Sequence, residues 1–310
     1  MNDSASPQVV VVGSVAFDSV KTNAGERRRM LGGSASYAAL ASALFARTGL
    51  VGIVGEDFPE ECWKVYRDAG IDLAGMEKSA GKTFYWEAEY AADMDSRTTL
   101  CTELGAFAGF DPVLPEGWRD APVLVLGNIA PSLQARVLDQ ARPRLSVLDT
   151  MELWIDTARG ELDAVLARVD LLTVNEHEAR ALTGEGSLLR AADALLKAGP
   201  KWVLVKKGSH GAFLVGRDGE RDILMVPSWP LREVKDPTGA GDSFAGAFAG
   251  VLASALERGE SERAAFRDAL AWATVVAART CGEFGTDALV AAEREGIVAD
   301  REAFSEMLVR

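Results

Sequence analysis

The 310-residue chain is 48% hydrophobic and 25% charged, ordinary proportions for a folded protein with a sizeable core. Asp and Glu outnumber Lys and Arg by 46 to 33, a formal net charge of −13, which argues against nucleic acid or an anionic membrane surface as the main partner. Three widely spaced cysteines, Cys62, Cys101 and Cys281, with no Cys-x-x-Cys pair, indicate neither a disulfide framework nor a zinc site.

In chain order, the polar start, residues 1–8, is the one stretch expected to be disordered. Val9–Val12 is a β-branched run stopped by Gly13 and reads as a buried strand. Residues 19–29 are polar and strand-like or loop-like. Residues 34–46, rich in Ala and Leu, read as a helix, 50–54 as a strand and 59–69 as a second helix. Residues 83–91 and 97–102 read as strands joined by a turn at 93–96 with no helix between them. These polar pieces form either a small sheet standing away from the main body or a plain surface hairpin, and periodicity does not choose. From Pro122 onward, short apolar runs at 123–126, 145–148, 171–174 and 202–205 alternate with helical stretches, the pattern of a parallel sheet covered on both faces. Residues 243–256 and 264–280 read as two helices. Gly246 and Gly250, four apart, would let one helix face approach its neighbour closely. No apolar run approaches the length of a membrane span, and no basic-then-apolar leader opens the chain. A cytoplasmic protein with reduced, buried thiols is expected.

The most informative stretch is Asp236-Pro-Thr-Gly-Ala-Gly-Asp-Ser-Phe-Ala-Gly-Ala-Phe248. Pro237, Gly239 and Gly241 force a turn, and Asp242-Ser243 sits where a helix begins. Such a helix start exposes unpaired backbone N–H groups and the positive end of the helix dipole, an anion site suited to a phosphoryl group in transfer. A carboxylate at the same point can accept the proton of an attacking hydroxyl as it becomes acidic, with no raised pKa required. A lone Gly-x-Gly-Asp reads equally as a helix cap.

The longer string resembles the signature of the ribokinase superfamily, the PfkB-type carbohydrate and nucleoside kinases, and the resemblance runs over most of the chain. Gly13 and Asp18 in Val-Gly-Ser-Val-Ala-Phe-Asp18 match that family's first strand and its following Asp. Gly32-Gly33 matches its Gly-Gly pair before a helix, Asn175-Glu-His-Glu178 its Asn-x-x-Glu motif, and Lys206-Lys-Gly208 its strand-end turn. The family's Asn shortly after the glycines is absent, since the sequence continues Ser34-Ala-Ser-Tyr37.

The resemblance implies an α/β fold: a single ribokinase-like domain over residues 1–310, three-layer α/β/α with a mainly parallel central sheet. A small β lid would come from about residues 19–31 and 82–102. It implies an ATP-dependent kinase that transfers the γ-phosphoryl group to a hydroxyl of a sugar or nucleoside, with Mg²⁺. Asp242 would be the base, and the N–H groups of Gly239, Ala240 and Gly241 would hold the phosphoryl oxygens. Asp18, Gly32 and Gly33 are assigned to the acceptor. Asn128 and Asp149, each just after a predicted strand, join them as pocket residues. Asn175, Lys206, Gly208 and Gly211 are assigned to the nucleotide, and Glu178 to Mg²⁺ through water. Asp236 and Thr238 would form a monovalent-cation site, with K⁺ the candidate ion. A homodimer is compatible with this reading.

Among Phe84, Tyr85, Trp86 and Tyr90, alternation puts Phe84 and Trp86 on one face. These aromatics either stack on a nucleobase, cover the apolar face of a sugar or form the core of the lid, which alternation favours for at least half of them. Trp86, nearer the turn, is the candidate for stacking. The rivals are a non-catalytic metabolite-binding protein on the same fold and a sugar-phosphate kinase within the family. A dinucleotide enzyme would need Gly-x-Gly-x-x-Gly directly after the first strand, which Val12-Gly-Ser-Val-Ala-Phe17 lacks.

Overall fold

The computed structural model describes residues 6–217 and 222–308. The chain opens with β1 (Val9–Val12), the hairpin of β2 (Ala16–Thr22) and β3 (Gly25–Gly32), helix α1 (Ser34–Ala43) and β4 (Thr48–Val54). α2 (Glu60–Asp68) and β5 (Asp72–Lys78) follow, then a second hairpin of β6 (Phe84–Tyr90) and β7 (Arg97–Glu103). Strand and helix then alternate through β8 (Val123–Leu126), α3 (Pro131–Gln140), β9 (Leu145–Asp149), α4 (Glu152–Thr157) and α5 (Arg159–Leu166). β10 (Leu171–Asn175), α6 (Glu176–Thr183), α7 (Leu188–Ala198) and β11 (Trp202–Lys206) continue the pattern. The end of the chain holds β12 (Ala212–Gly216), β13 (Ile223–Val226), α8 (Ala240–Glu257), α9 (Glu262–Cys281), α10 (Asp287–Val290) and α11 (Arg294–Met307).

Among the described residues the main sheet has nine strands in the order β13-β12-β11-β10-β9-β8-β1-β4-β5. It is parallel from β11 to β5, while β12 and β13 add an antiparallel edge. Its inner strands are apolar throughout because helices cover both faces. Val9 and Val11 join one core cluster with residues of α1, α8 and α9. Val10 and Val12 join the other, with residues of α3, α5, α6 and α7. β5, β12 and β13 were not expected from the sequence. The hairpins pair into a second sheet, β3-β2-β6-β7, in which β2 and β6 run parallel. That small sheet is built from the segments assigned to a lid, but it begins earlier than the sequence suggested, at Ala16, and so takes in Asp18.

Two further expectations are corrected. Of the polar start, residues 1–5 lie outside the described residues, but Gln8 is buried and bonded, donating to Glu257 and accepting from the Arg47 N–H. The three cysteines are free but only partly buried. Among the described residues no helix is long and apolar enough to cross a membrane.

The glycine pair behaves as its spacing predicts. A Cβ on Gly246 would lie 2.1 Å from the Ala38 carbonyl oxygen, and one on Gly250 would lie 2.7 Å from that of Ser42. α8 therefore packs backbone to backbone on α1, and the starts of both helices are brought side by side. Gly246→Ala should destabilise the protein. Overpacking against a backbone typically costs about 1–3 kcal/mol, more than the ~1 kcal/mol that Ala returns in helix propensity. The urea midpoint should fall, and an unchanged or higher midpoint would show that the two helices separate freely.

Candidate active site

The first wall of the site is built where β1 ends. Ser14 and Ser34 bond reciprocally, Ser34 N–H to Ser14 Oγ at 3.1 Å and Ser14 N–H to Ser34 Oγ at 3.3 Å. The Ala35 N–H donates to the Ser14 carbonyl at 3.0 Å, so α1 is pinned to the turn after β1. Gly33 has φ 86°, and a Cβ there would fall 2.5 Å from the Ser14 carbonyl oxygen, so only glycine fits. Asp18, 4% exposed on β2, accepts the Gly33 N–H at 3.3 Å. A Cβ on Gly32 would lie 2.0 Å from Asp18 Oδ2. The Gly-Gly pair and Asp18 are thus one unit.

The second wall is the start of α8. Gly239, in the left-handed region at φ 75°, caps the helix, and Asp242 is its third residue rather than its cap. The Ala240 N–H turns back to the Pro237 carbonyl at 3.2 Å, a partner the sequence did not foresee. Among the described residues the N–H groups of Gly239 and Gly241 have no hydrogen-bond acceptor and remain available to an anion. A Cβ on Gly241 would be 3.1 Å from Lys206 Nζ, which places the lysine's charge directly beside the helix start. Lys206 in turn pairs with Asp149 Oδ1 at 3.0 Å, and the Thr173 hydroxyl donates to the same oxygen at 2.6 Å. Asn175 and Glu178 form a reciprocal capping box on α6, with both hydrogen bonds at 2.8 Å.

These groups share a poorly solvated space, and their protonation shows it. Burial pushes Asp18 up to about 7, with the charges of Asp236 and Asp242 adding and the Gly33 N–H opposing. Burial also pushes Asp242 up to about 7. Asp149 reinforces that rise, while Lys206 and Arg97 hold it back. Glu178 rises to about 7 for the same first cause, against the pull of Lys206. Burial alone would lower Lys206, but Asp149, Glu178 and Asp242 outweigh it and the net shift is upward. Asp236, fully buried, is raised by burial although it accepts the N–H groups of Thr238 and Gly285 at 2.9 and 3.0 Å.

The small sheet closes the third side. In the parallel β2–β6 pair Asp18 is level with Trp86, so the two side chains stand on one face. Tyr90, further along that face, accepts a hydrogen bond from Thr238 at 3.2 Å. Phe84 is taken up by packing on Phe107, ring centroids 5.3 Å apart. Trp86 has the Arg97 guanidinium 5.8 Å from its ring centroid and donates to Thr99.

The remaining expected residues have local partners. Asn128 accepts from the Trp154 indole at 2.7 Å and donates to the Met151 sulfur, so its side chain is tied to the segment after β9 rather than to Asp18. Gly211, at φ 85°, packs where a Cβ would meet the Val226 carbonyl oxygen at 2.1 Å. Gly208, at φ 50°, lies near the lid turn: a Cβ there would be 3.7 Å from Asp95 Oδ1. Tyr37 was missed. It is 1% exposed, and its ring carbons lie 2.3–2.4 Å from where a Gly239 Cβ would stand. The available signal was its place four residues after Gly33, on the same helical face.

Residues 6–292 match the family described as pfkB family carbohydrate kinase. A cytidine kinase of Thermococcus kodakarensis is 31% identical over 245 residues, which cover 77% of this chain and 86% of that protein. Among solved structures, Arabidopsis thaliana ribokinase complexed with ribose and ATP superposes with a TM-score of 0.76 at 23% identity, over 96% of this chain and 99% of that one. A Burkholderia thailandensis nucleoside kinase in complex with inosine gives a TM-score of 0.76 at 19% identity, over 97% and 100%.

The raised carboxyls predict how stability changes with pH. Between the ordinary carboxyl range near pH 4 and the folded value near 7, native Asp18 holds a proton that the unfolded chain has lost. Stability therefore falls as pH rises through that window. Asp18→Asn should raise the melting temperature of the ligand-free protein clearly more at about pH 8 than at about pH 5. Equal effects at both pH values would show that Asp18 is not raised.

Proposed function

Because the chain belongs to the pfkB family of carbohydrate kinases, we propose that it transfers the γ-phosphoryl group of ATP to a hydroxyl of a nucleoside, with cytidine the first candidate. The observation that carries this reading is the placement of Asp18 against the Gly33 N–H, level with Trp86 on one sheet face, in charge contact with Asp242. Asp18 holds the acceptor's hydroxyls through charge-assisted hydrogen bonds. Trp86 offers a ring to its base. The cytidine kinase relative supports the choice of base-bearing acceptor.

In the step itself, the acceptor oxygen attacks the γ-phosphorus and its bond to the β,γ-bridging oxygen breaks, leaving ADP. Asp242 takes the acceptor's proton as the oxygen becomes acidic. The Gly239 and Gly241 N–H groups, at the positive end of α8, and the Lys206 ammonium stabilise charge on the phosphoryl oxygens. Among the described residues no three His, Cys, Asp or Glu side chains gather into a metal cage. Glu178 fits an ion held through water: one oxygen is taken by the Asn175 N–H, and the other accepts no hydrogen bond among the described residues. Mg²⁺ there would neutralise nucleotide phosphates. Asp236 and Thr238 are the groups that would hold a monovalent cation beside the helix start. Each Asp236 oxygen already accepts one N–H and keeps a further lone pair.

Turnover measured with MgATP and cytidine, adenosine or ribose tests the reading. Phosphorylation of the nucleosides is expected, and phosphorylation of ribose alone would make the protein a sugar kinase. Asp242→Asn should lower kcat by about 10²–10⁴-fold while ATP still binds. Near wild-type turnover, with chemistry rate-limiting, would reduce Asp242 to a structural residue. In the wild type kcat/KM should fall as pH drops below about 7, because the base must be deprotonated. Trp86→Ala should weaken nucleoside binding by about 1–3 kcal/mol and leave ribose binding unaltered, and an unaffected nucleoside affinity would remove the ring from the site.

A further inference from the structure

The phenol of Tyr37 has no place in the mechanism above, yet its ring packs against Gly239 at the start of α8. The residue lies on α1, and a helical side chain leans toward the helix start, here toward Gly33. Its ring lies flat against the Gly239 position, so a side chain at 239 could not coexist with it. The hydroxyl oxygen is fully buried and, among the described residues, has no hydrogen-bond partner. Burial and then the charges of Asp18, Asp236, Asp242 and Tyr90 all disfavour its ionisation, Asp18 most strongly among the charges. The phenol is therefore a neutral donor within the field of Asp18, Asp236 and Asp242, the carboxyls of the proposed site.

A buried hydroxyl without a partner forfeits about 1–3 kcal/mol of solvation. A core that merely needed an aromatic ring would avoid that cost with Phe. The carboxylates whose charges it feels, Asp18 and Asp236, accept from Gly33, Thr238 and Gly285 and not from the phenol. We propose that Tyr37 is a specificity-determining residue whose hydroxyl hydrogen-bonds a hydroxyl of the acceptor sugar, alongside Asp18. Its ring, wedged on Gly239, fixes how closely that sugar approaches the anion site. The inference rests on the nucleoside-kinase reading, since it needs an acceptor lying between Asp18 and Asp242.

Calorimetric titration of wild type and Tyr37→Phe with cytidine, adenosine, ribose and MgATP separately, together with thermal melts, tests it. For the probe that wild type binds most tightly among the three acceptors, the variant should lose about three- to tenfold in affinity, the worth of one neutral hydrogen bond. MgATP affinity should not change, and the melting temperature should stay equal or rise. Equal acceptor affinity in both proteins overturns the inference alone. Parallel weakening of MgATP also overturns it, since the hydroxyl then serves the phosphates. A lower melting temperature or loss of folding in the variant overturns it too, by showing a structural hydrogen bond. Wild type that binds none of the three acceptors overturns the nucleoside reading and the inference with it.

Discussion

The close approach of α1 and α8 is the constraint on which the site depends. Ala38 and Ser42 of α1 present backbone to Gly246 and Gly250 of α8, where no Cβ intervenes. Two rigid helices in such contact fix the separation of their starts, and those starts carry Gly33 and Gly239. Each start leaves N–H groups without helical partners. One set faces Asp18 and the other lies at the proposed phosphoryl position. Tyr37 fills the gap between them. In the proposed reaction, the packing of the core thus sets the distance over which a hydroxyl and a phosphate meet.

The electrostatics follow from burying that meeting point. Asp18, Glu178 and Asp242 each rise to about 7, while Asp236 is raised as well, with Lys206 the cation among them. Such crowding destabilises the ligand-free fold above neutral pH, a common cost of keeping polar groups ready in a site. In the proposed reaction the same crowding would suit Asp242, because a base near 7 is better matched to proton uptake at neutral pH than one near 4. The sequence reading allowed an unshifted Asp242, since local residues say nothing about burial. The shift arises from what the fold places over the carboxylate.

The strands that could be read were those with both faces covered, such as Val9–Val12, where continuous apolar runs leave one interpretation. β5 escaped because Asp72-Leu-Ala-Gly-Met-Glu-Lys78 is an edge strand with partly exposed residues and no clean alternation. β12 is fully buried, but Ala212-Phe-Leu-Val-Gly216 directly follows a glycine-bounded turn that was read for its ligand role rather than as a hairpin. In the site, Asp242, Gly239 and Lys206 were legible because their chemistry is written in short contiguous motifs. The pairing of Lys206 with Asp149, and of Asn128 with Trp154, joins residues distant in the chain and needed the fold. Tyr37 was harder for the same reason: its place one turn after Gly33 marks the helix face, but the contact of its ring with Gly239, distant in the chain, needed the fold.

The small sheet is not an independent appendage. Thr238, in the loop that leads into α8, donates to Tyr90, and Thr22 donates to the Lys235 carbonyl at 2.7 Å just before that loop. The turn between β6 and β7 meanwhile brings Asp95 near Gly208, beside the Lys206 strand end. The sheet thus touches the loop that carries the anion site at one place and the strand end that carries its positive charge at another. Each of the two hydrogen bonds is worth only about 0.5–1.5 kcal/mol. The sheet is held as well by packing, with Phe17 and Leu31 in the main core cluster and Arg29 paired with Asp57, so its displacement would strain that core and residues 235–238 together. Because Asp18 and Trp86 ride on the same sheet, whatever displaces it moves both proposed acceptor contacts together.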